Sequence, residues 1–262
     1  MKSPTLAQKL TAEALGTAIL VFIGAGSVPL TVFLTAGAGG TGIDGTAGLS
    51  TISFAFAFAI FAAVYSIGHI SGCHINPAVT IALLATRKVD GRTAGAYIAA
   101  QFVGAFIGAA MTFVVLQGND PATLGLGAVS VNPNAGLMVG FAAEIIGTAI
   151  LVFTVFGAAV SGRAPAGFAG LIIGFIVYGI IIVVGPITGA SLNPARELGP
   201  ALLGQAIGAK AVPLDQLIVV YVFGSTLGAL AGAFLYELIG RESPAKEAAR
   251  SEVPAETAAA KA

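Results

Sequence analysis

The chain alternates long apolar runs with short polar connections. Six runs reach the roughly 20 residues that a membrane-crossing helix needs: approximately Leu10 to Leu34, Leu49 to Ile67, Thr93 to Leu116, Leu137 to Val160, Phe168 to Val184 and Leu217 to Ile239. After the second and fifth runs comes a shared stretch, Ser71-Gly-Cys-His-Ile-Asn76-Pro77-Ala78-Val-Thr80 and Thr188-Gly-Ala-Ser-Leu-Asn193-Pro194-Ala195-Arg196. Asn before Pro marks a helix start, because Asn caps orphan N–H groups and Pro, needing no donor, takes the first helical position. The apolar segments that follow, Pro77 to Thr86 and Pro194 to Leu203, are too short to cross a bilayer and predict re-entrant half-helices. No Asp, Glu, Lys or Arg occurs from Gly45 to Thr86 or from Ala164 to Ala195. Both helix starts therefore fall at membrane depth, where their positive ends would line a polar pathway.

The two stretches belong to a larger internal repeat. Glu13-Ala-Leu-Gly16-Thr17-Ala-Ile-Leu20 recurs as Glu144-Ile-Ile-Gly147-Thr148-Ala-Ile-Leu151, and Gly104 and Gly108 are matched with Gly224 and Gly228. Three spans and one half-helix per half require opposite insertion of the halves, which sets the half-helix starts face to face near the midplane. The expected fold class is an all-α integral membrane protein of six transmembrane helices plus two re-entrant half-helices. The expected domain plan is an N-terminus at 1–9, a channel domain at 10–240 (repeats at about 10–118 and 135–240) and a disordered tail at 241–262. Gly at a spacing of four lets helix backbones approach closely, so the third and sixth spans are expected to cross at these glycines.

Composition agrees. Of 262 residues 56% are hydrophobic and only 9% charged, against about 25% charged in soluble domains. Zero net charge gives no case for nucleic acid. The one cysteine, Cys73, excludes an intramolecular disulfide, and without Trp an interfacial aromatic belt would rest on Tyr and Phe. The first run shows no small-residue cleavage site and reads as a retained span. With the N-terminus inside, Lys2, Lys9, Arg87, Lys88, Arg92, Arg163, Arg241, Lys246, Arg250 and Lys261 are cytoplasmic, leaving Lys210 outside and Arg196 in a half-helix. The connections holding Asp44 and Asp120 are then external.

Glu13 and Glu144, ionisable within spans, are either coupling groups of a transporter or acceptors for the irregular backbone before each half-helix; their duplication favours the second. Asn76 and Asn193 can cap their half-helices with the side-chain oxygen and point the amide NH2 into the pore, where two donors would occupy both lone pairs of one water. Arg196, one turn past Asn193, is a cation barrier and a donor to solute oxygens. Glu197 is either its partner or a group facing the outer vestibule. Cys73, three residues before Asn76, is either an inert buried thiol or a pore-lining one. His74 is placed at the inner pore mouth and His69 in a hydrogen bond to loop backbone.

The paired Asn-Pro-Ala boxes, the Arg after the second, the Glu-x-x-Gly-Thr repeats and Ser-Gly-x-His before the first resemble the major intrinsic protein family of aquaporins and glycerol facilitators, over about Thr11 to Ile239. The resemblance implies a right-handed bundle, a pore in each subunit and a homotetramer in the plasma membrane. By spacing from the boxes it implies an outer constriction of Phe56, Ile181, Ala190 and Arg196. Strict water channels usually carry His where Ile181 stands. Glycerol facilitators usually have a small residue there, an aromatic at the Ala190 position and Asp after the Arg. The combination also looks like the nodulin-type members.

The expected function is a passive channel for water and small uncharged solutes such as glycerol, closed to protons and ions, requiring no cofactor or metal. The solute would pass the four constriction residues and then exchange hydrogen bonds with Asn76, Asn193 and the carbonyls of Gly72, Cys73, His74, Ile75, Gly189, Ala190, Ser191 and Leu192. The rivals are a strictly water-selective channel, a secondary transporter coupled through Glu13 or Glu144, and a structural membrane protein with a closed pore. No nucleophile, metal cluster or phosphate loop supports an enzyme.

Overall fold

The computed structural model describes residues 3–37, 45–116 and 125–240. Expectations for the tail 241–262 and for the segments around Asp44 and Asp120 lie outside them. The described residues form eight principal helices and no strand. Six are long and apolar enough to cross a membrane: α1 (Leu6–Thr35), α2 (Gly45–Ser71), α4 (Gly91–Val115), α5 (Leu137–Val160), α6 (Ala169–Thr188) and α8 (Gln216–Ile239). The short pair, α3 (Pro77–Ala85) and α7 (Pro194–Ala206), begin at the two Asn-Pro dipeptides.

Local chemistry sets the helix ends. Thr5 and Gln8 form a reciprocal capping box at the start of α1. Asp90 caps α4 by accepting from the backbone N–H and hydroxyl of Thr93, bonds that hold its carboxyl below the usual range. The half-helix α3 closes with Arg87 N–H on Leu84 O and Lys88 N–H on Leu83 O, with Arg87 itself left-handed at φ 60°. This turn sends Lys88 back toward the bundle, where its Nζ pairs with Glu237 at 3.1 Å.

The glycines correct two expectations. A Cβ on Gly104 would lie 2.1 Å from Ala14 O, and one on Gly108 2.6 Å from Ala18 O, so α4 lies against α1. A Cβ on Gly228 would lie 2.3 Å from Ile145 O and one on Gly232 2.2 Å from Ala149 O, so α8 lies against α5. The third and sixth spans thus each cross the first span of their own half and not each other. The equivalent pairs are Gly104 with Gly228 and Gly108 with Gly232, one helical turn beyond the expected register. Tyr97 with Tyr221 carries the same register, since their hydroxyls donate to the equivalent carbonyls of Ser71 and Thr188.

The half-helices interlock the halves. Gly199 of α7 lies against Ala105 of α4, while Ala78, Val79, Ala82 and Leu83 of α3 share a core with Val152 and Phe156 of α5 and Ala229 and Ala233 of α8. Each half-helix is buried largely by spans of the opposite half, so neither repeat is a separate folding unit. Spans α2 and α6 meet at Gly174, where a Cβ would sit 2.1 Å from the Phe61 ring.

Candidate functional site

Spans α2 and α6 stop at Ser71 and Thr188, and four residues of irregular backbone lead from each to a half-helix. Gly72 (φ 90°), Cys73 (52°) and Ile75 (44°) have positive φ, and so do Gly189 (77°), Ala190 (48°) and Leu192 (56°). For the four non-glycine residues this costs about 1–2 kcal/mol each, and buried carboxylates offset it. Glu13 accepts from Ser71 Oγ (2.7 Å), His74 N (2.9 Å), Ile75 N (2.7 Å) and Gln101 Nε2 (2.8 Å). Glu144 accepts from Thr188 Oγ1 (2.7 Å), Ser191 N (2.8 Å) and Leu192 N (2.8 Å), with Ser225 Oγ 3.4 Å away and bonded to Tyr221 O at 2.8 Å. The Ser71 and Thr188 hydroxyl oxygens take the remaining N–H groups, of Cys73 and Ala190. Gly72 and Gly189 N–H close the last turns of their spans on Gly68 O and Gly185 O, so all eight N–H groups of 72–75 and 189–192 are bonded within the protein.

The carbonyls are left over. Those of Gly72, Cys73, His74, Gly189, Ala190 and Ser191 accept nothing from the described residues. The last two carbonyls of the expected lining differ: Ile75 O takes Asn193 Nδ2 at 2.9 Å and Leu192 O takes Asn76 Nδ2 at 2.8 Å. Each asparagine also caps its own half-helix, Asn76 Oδ1 on Ala78 N, and Asn193 Oδ1 on Ala195 N and Arg196 N. One amide hydrogen per asparagine is committed to the opposite loop, and one remains at the junction of the half-helices.

Asn76 and Asn193 both line two cavities, one on either side of that junction. The larger, about 410 Å³, opens on the face that carries the chain termini and is lined by Gly72, Cys73, His74, Lys88 and aliphatic side chains of α1, α2, α5 and α6. The smaller, about 40 Å³, brings together Phe56, Ile181, Ala190 and Arg196 with Leu20, Ile60, Leu151 and Val177. The four residues named from spacing are thus neighbours, each at most 5% exposed. The Phe56 ring lies over the Arg196 guanidinium, 4.9 Å from its Cζ, and rests on Gly24, where any Cβ would strike the ring.

Arg196 Nη1 donates to Gly127 O and to Glu197 Oε2, both at 3.0 Å. Glu197, fully buried, is therefore its partner and does not face an outer vestibule; its Oε1 accepts from Val129 N at 3.0 Å. Arg196 Nε and Nη2 have no partner among the described residues. His74 lines the wide cavity with Nδ1 3.2 Å from Thr80 Oγ1. His69 is exposed and makes no hydrogen bond among the described residues, contrary to expectation.

Sequence reasoning missed Gln101, Thr80, Ser225 and the two tyrosines. The aligned pattern Tyr97-x3-Gln101-x2-Gly104 against Tyr221-x3-Ser225-x2-Gly228 holds the signal.

Two broken helices meeting end to end, with strained loops whose N–H groups are bonded and whose carbonyls are left over, and a cavity on each side, form a channel's interior. The sequence profile described as major intrinsic protein matches residues 1–236. The chain belongs to the major intrinsic protein family. It is 45% identical over 247 residues to the probable aquaporin AqpM of Archaeoglobus fulgidus, covering 91% of this chain and 99% of that one. It is 43% identical to aquaporin AqpM of Methanothermobacter thermautotrophicus over 249 residues, with the same coverages. It is 34% identical to nodulin-26 of Glycine max over 246 residues, covering 93% of this chain and 82% of that one. The fold matches the crystal structure of the aquaglyceroporin from Plasmodium falciparum with TM-score 0.73 at 24% identity, over 88% of this chain and 94% of that one. As a family member the chain is a multi-pass membrane channel of six spans and two half-helices.

Proposed function

We propose that the channel passively conducts water and small uncharged solutes such as glycerol and excludes protons and ions. One observation carries this reading: Nε and Nη2 of buried Arg196 have no partner among the described residues, and Arg196 lines the small cavity together with Ala190 and Ser191, whose carbonyls are unused, and with Phe56, Ile60, Val177 and Ile181. An unpaired buried donor costs about 1–3 kcal/mol, more when charged, and a passing hydroxyl or water oxygen relieves that cost. Donors and acceptors along one side and apolar groups along the other suit a polyol. The names of the relatives, aquaporins and nodulin-26, and of the aquaglyceroporin neighbour support the class of solute.

In this reading Phe56, Ile181, Ala190 and Arg196 form the selectivity filter, and the Asn-Pro-Ala boxes orient the solute at the midplane. The residual amide hydrogens of Asn76 and Asn193 occupy both lone pairs of one water, which then cannot relay a proton. Opposed helix starts, each equivalent to about half a positive charge, repel cations there. Glu13 and Glu144 are structural, since their carboxylates already accept four and three hydrogen bonds. The protein works as a homotetramer in the plasma membrane with both termini cytoplasmic, a placement supported by the concentration of Lys and Arg on the terminal side.

A strictly water-selective channel is the second reading, favoured by the near-complete burial of the filter residues and by the 40 Å³ cavity, which holds on the order of two or three waters. Stopped-flow light scattering on proteoliposomes separates the two. Rapid shrinkage in an impermeant osmolyte followed by rapid re-swelling in glycerol is the expected result. Shrinkage without re-swelling would install the water-selective reading.

A further inference from the structure

We propose that Gly24 is a specificity-determining residue of the filter: with no side chain of its own, it seats the Phe56 ring back from the passage and so sets the largest solute that passes Arg196 and Ile181. The inference rests on the channel reading above and adds a residue outside the pore lining to its selectivity.

Gly24 lies in the first span, where hydrogen bonding departs from the α-helical pattern. Over Leu20–Ala25 the turn is π-helical, and Gly26 N–H closes it on Val21 O, five residues back, at 2.9 Å. Such wide turns are rare, and as single turns inside α-helices they frequently mark functional sites. Glycine adds to the cost, because it gives up more backbone freedom than any other residue on entering a helix. Gly24 has no positive φ to call for glycine. What calls for it is space: a Cβ there would lie 2.5, 2.7 and 2.9 Å from Phe56 Cδ1, Cε1 and Cγ, three consecutive carbons of the ring. The ring thus lies directly on the α1 backbone.

The inverted repeat isolates this feature. The alignment of Glu13 with Glu144 places Val155 opposite Gly24, and Ile173 stands twenty residues before Asn193, as Phe56 stands before Asn76. Val155 and Ile173 both line the wide cavity. There α5 stays α-helical through Val155 and turns π-helical only from Phe156. One half therefore carries two branched aliphatic residues where the other carries a glycine and a ring. Ile181, the other bulky apolar residue of the filter, has no comparable seat: a Cβ on Gly185 would stand 3.4 Å from its Cγ2 without striking it.

The consequence for the passage is geometric. Gly24 is buried and lines neither cavity, whereas the ring borders the 40 Å³ one together with Arg196 and Ile181. A methyl at residue 24 must move the nearest ring carbon by about 1 Å, from 2.5 Å to the 3.4 Å or more of ordinary contact. A close-packed interior has little room to yield except at a void, and the void beside this ring is the passage. Water, a single oxygen, tolerates the narrowing. Glycerol, which brings a carbon edge past the ring, does not.

The test measures glycerol and water permeability of the purified protein in proteoliposomes for wild type, Gly24→Ala, Phe56→Leu and the double variant. The expected result is a glycerol-to-water ratio about 10-fold lower or more in Gly24→Ala, the low end of what one methylene discriminates in an apolar pocket, with most of the fall in glycerol. In Phe56→Leu, where no ring occupies the seat, adding Gly24→Ala leaves the ratio as it is. A ratio unchanged or raised in folded Gly24→Ala, or the same fall in the Phe56→Leu background, would overturn the inference while leaving the channel reading in place. Should Gly24→Ala fail to fold, Gly24→Val beside Phe56→Leu decides, because the larger side chain pushes the shorter one toward the passage. A ratio below that of Phe56→Leu alone supports the seat, and an equal or higher one counts against it. A wild type that conducts water alone would overturn the inference together with the glycerol reading, and one passing neither solute above the lipid background would overturn the channel reading itself.

Discussion

Asn76 and Asn193 show how much one side chain can carry in a pore. Their capping role follows from the Asn-Pro dipeptide alone, and their pairing follows from the repeat. Their second contact, each amide to the carbonyl before the opposite asparagine, does not, because it joins residues 116 and 118 positions apart. Glu13 and Glu144 were equally legible in kind, and the structure supplies the count. With four donors on Glu13 and three on Glu144, two of them backbone N–H, Glu144→Gln sets an NH2 against at least one donor and is expected to cost on the order of 3 kcal/mol. Thermal unfolding in detergent reads this loss, and retention of wild-type stability would show that the loop needs no anion. Arg196→Val removes the guanidinium from the filter and is expected to raise permeability to glycerol and larger polyols several-fold and admit cations. Unchanged selectivity in liposome flux assays would place Arg196 outside the filter. For Glu197 two readings stood open in the sequence, partner of Arg196 or vestibule group, because helical periodicity sets neighbouring side chains apart; the 3.0 Å contact decides for the first.

Among the elements, apolar length located all six spans to within a few residues, since a bilayer demands about 20 and the polar breaks are sharp. No end shifts by more than four residues; one that does is in α6, which runs on past Val184 to Thr188 and stops at Gly189, left-handed at φ 77°. What apolar length could not give was register. Glycines recur so often in α4 and α8 that several pairings satisfy a spacing of four, and the sequence match fell one turn short. The carbonyls they touch decide it. Gly232→Ala drives a Cβ to 2.2 Å from the Ala149 backbone oxygen, whereas Gly224→Ala meets Glu144 Cβ and a Phe141 ring carbon at 3.3 Å and the Phe141 backbone oxygen at an ordinary 3.5 Å. Overpacking against rigid backbone is expected to cost Gly232→Ala on the order of 2 kcal/mol, with Gly224→Ala markedly milder. Comparing the folded fraction of the two variants by size exclusion after mild heating checks the register, and the opposite order would restore the earlier pairing.

Across the whole molecule the inverted repeat is symmetric in backbone and asymmetric in contents. Positions three before the boxes hold Cys73 in one half and Ala190 in the other, and Val79 stands where the second half has Arg196. Bulk and charge therefore gather on one side of the midplane, leaving about 40 Å³ there against about 410 Å³ on the terminal side. Neither volume could be read from the sequence, because each depends on how side chains from four spans close around the half-helices. The asymmetry gives Cys73 a sidedness. Cys73, 9% exposed as a residue, lines the wide cavity, and Phe56 against Arg196 stands between it and the opposite face. A charged, membrane-impermeant thiosulfonate can enter the wide cavity but is too large for the constriction. Applied to inverted membrane vesicles, which expose the cytoplasmic face, it is expected to slow osmotic water flux; applied to right-side-out spheroplasts it is expected to do nothing. Cys73→Ser should be insensitive from both sides, which ties the effect to this thiol. Block from the outside alone would mean that the terminal face is external, and block from both sides that the constriction opens wider than the stacked Phe56 and Arg196 allow.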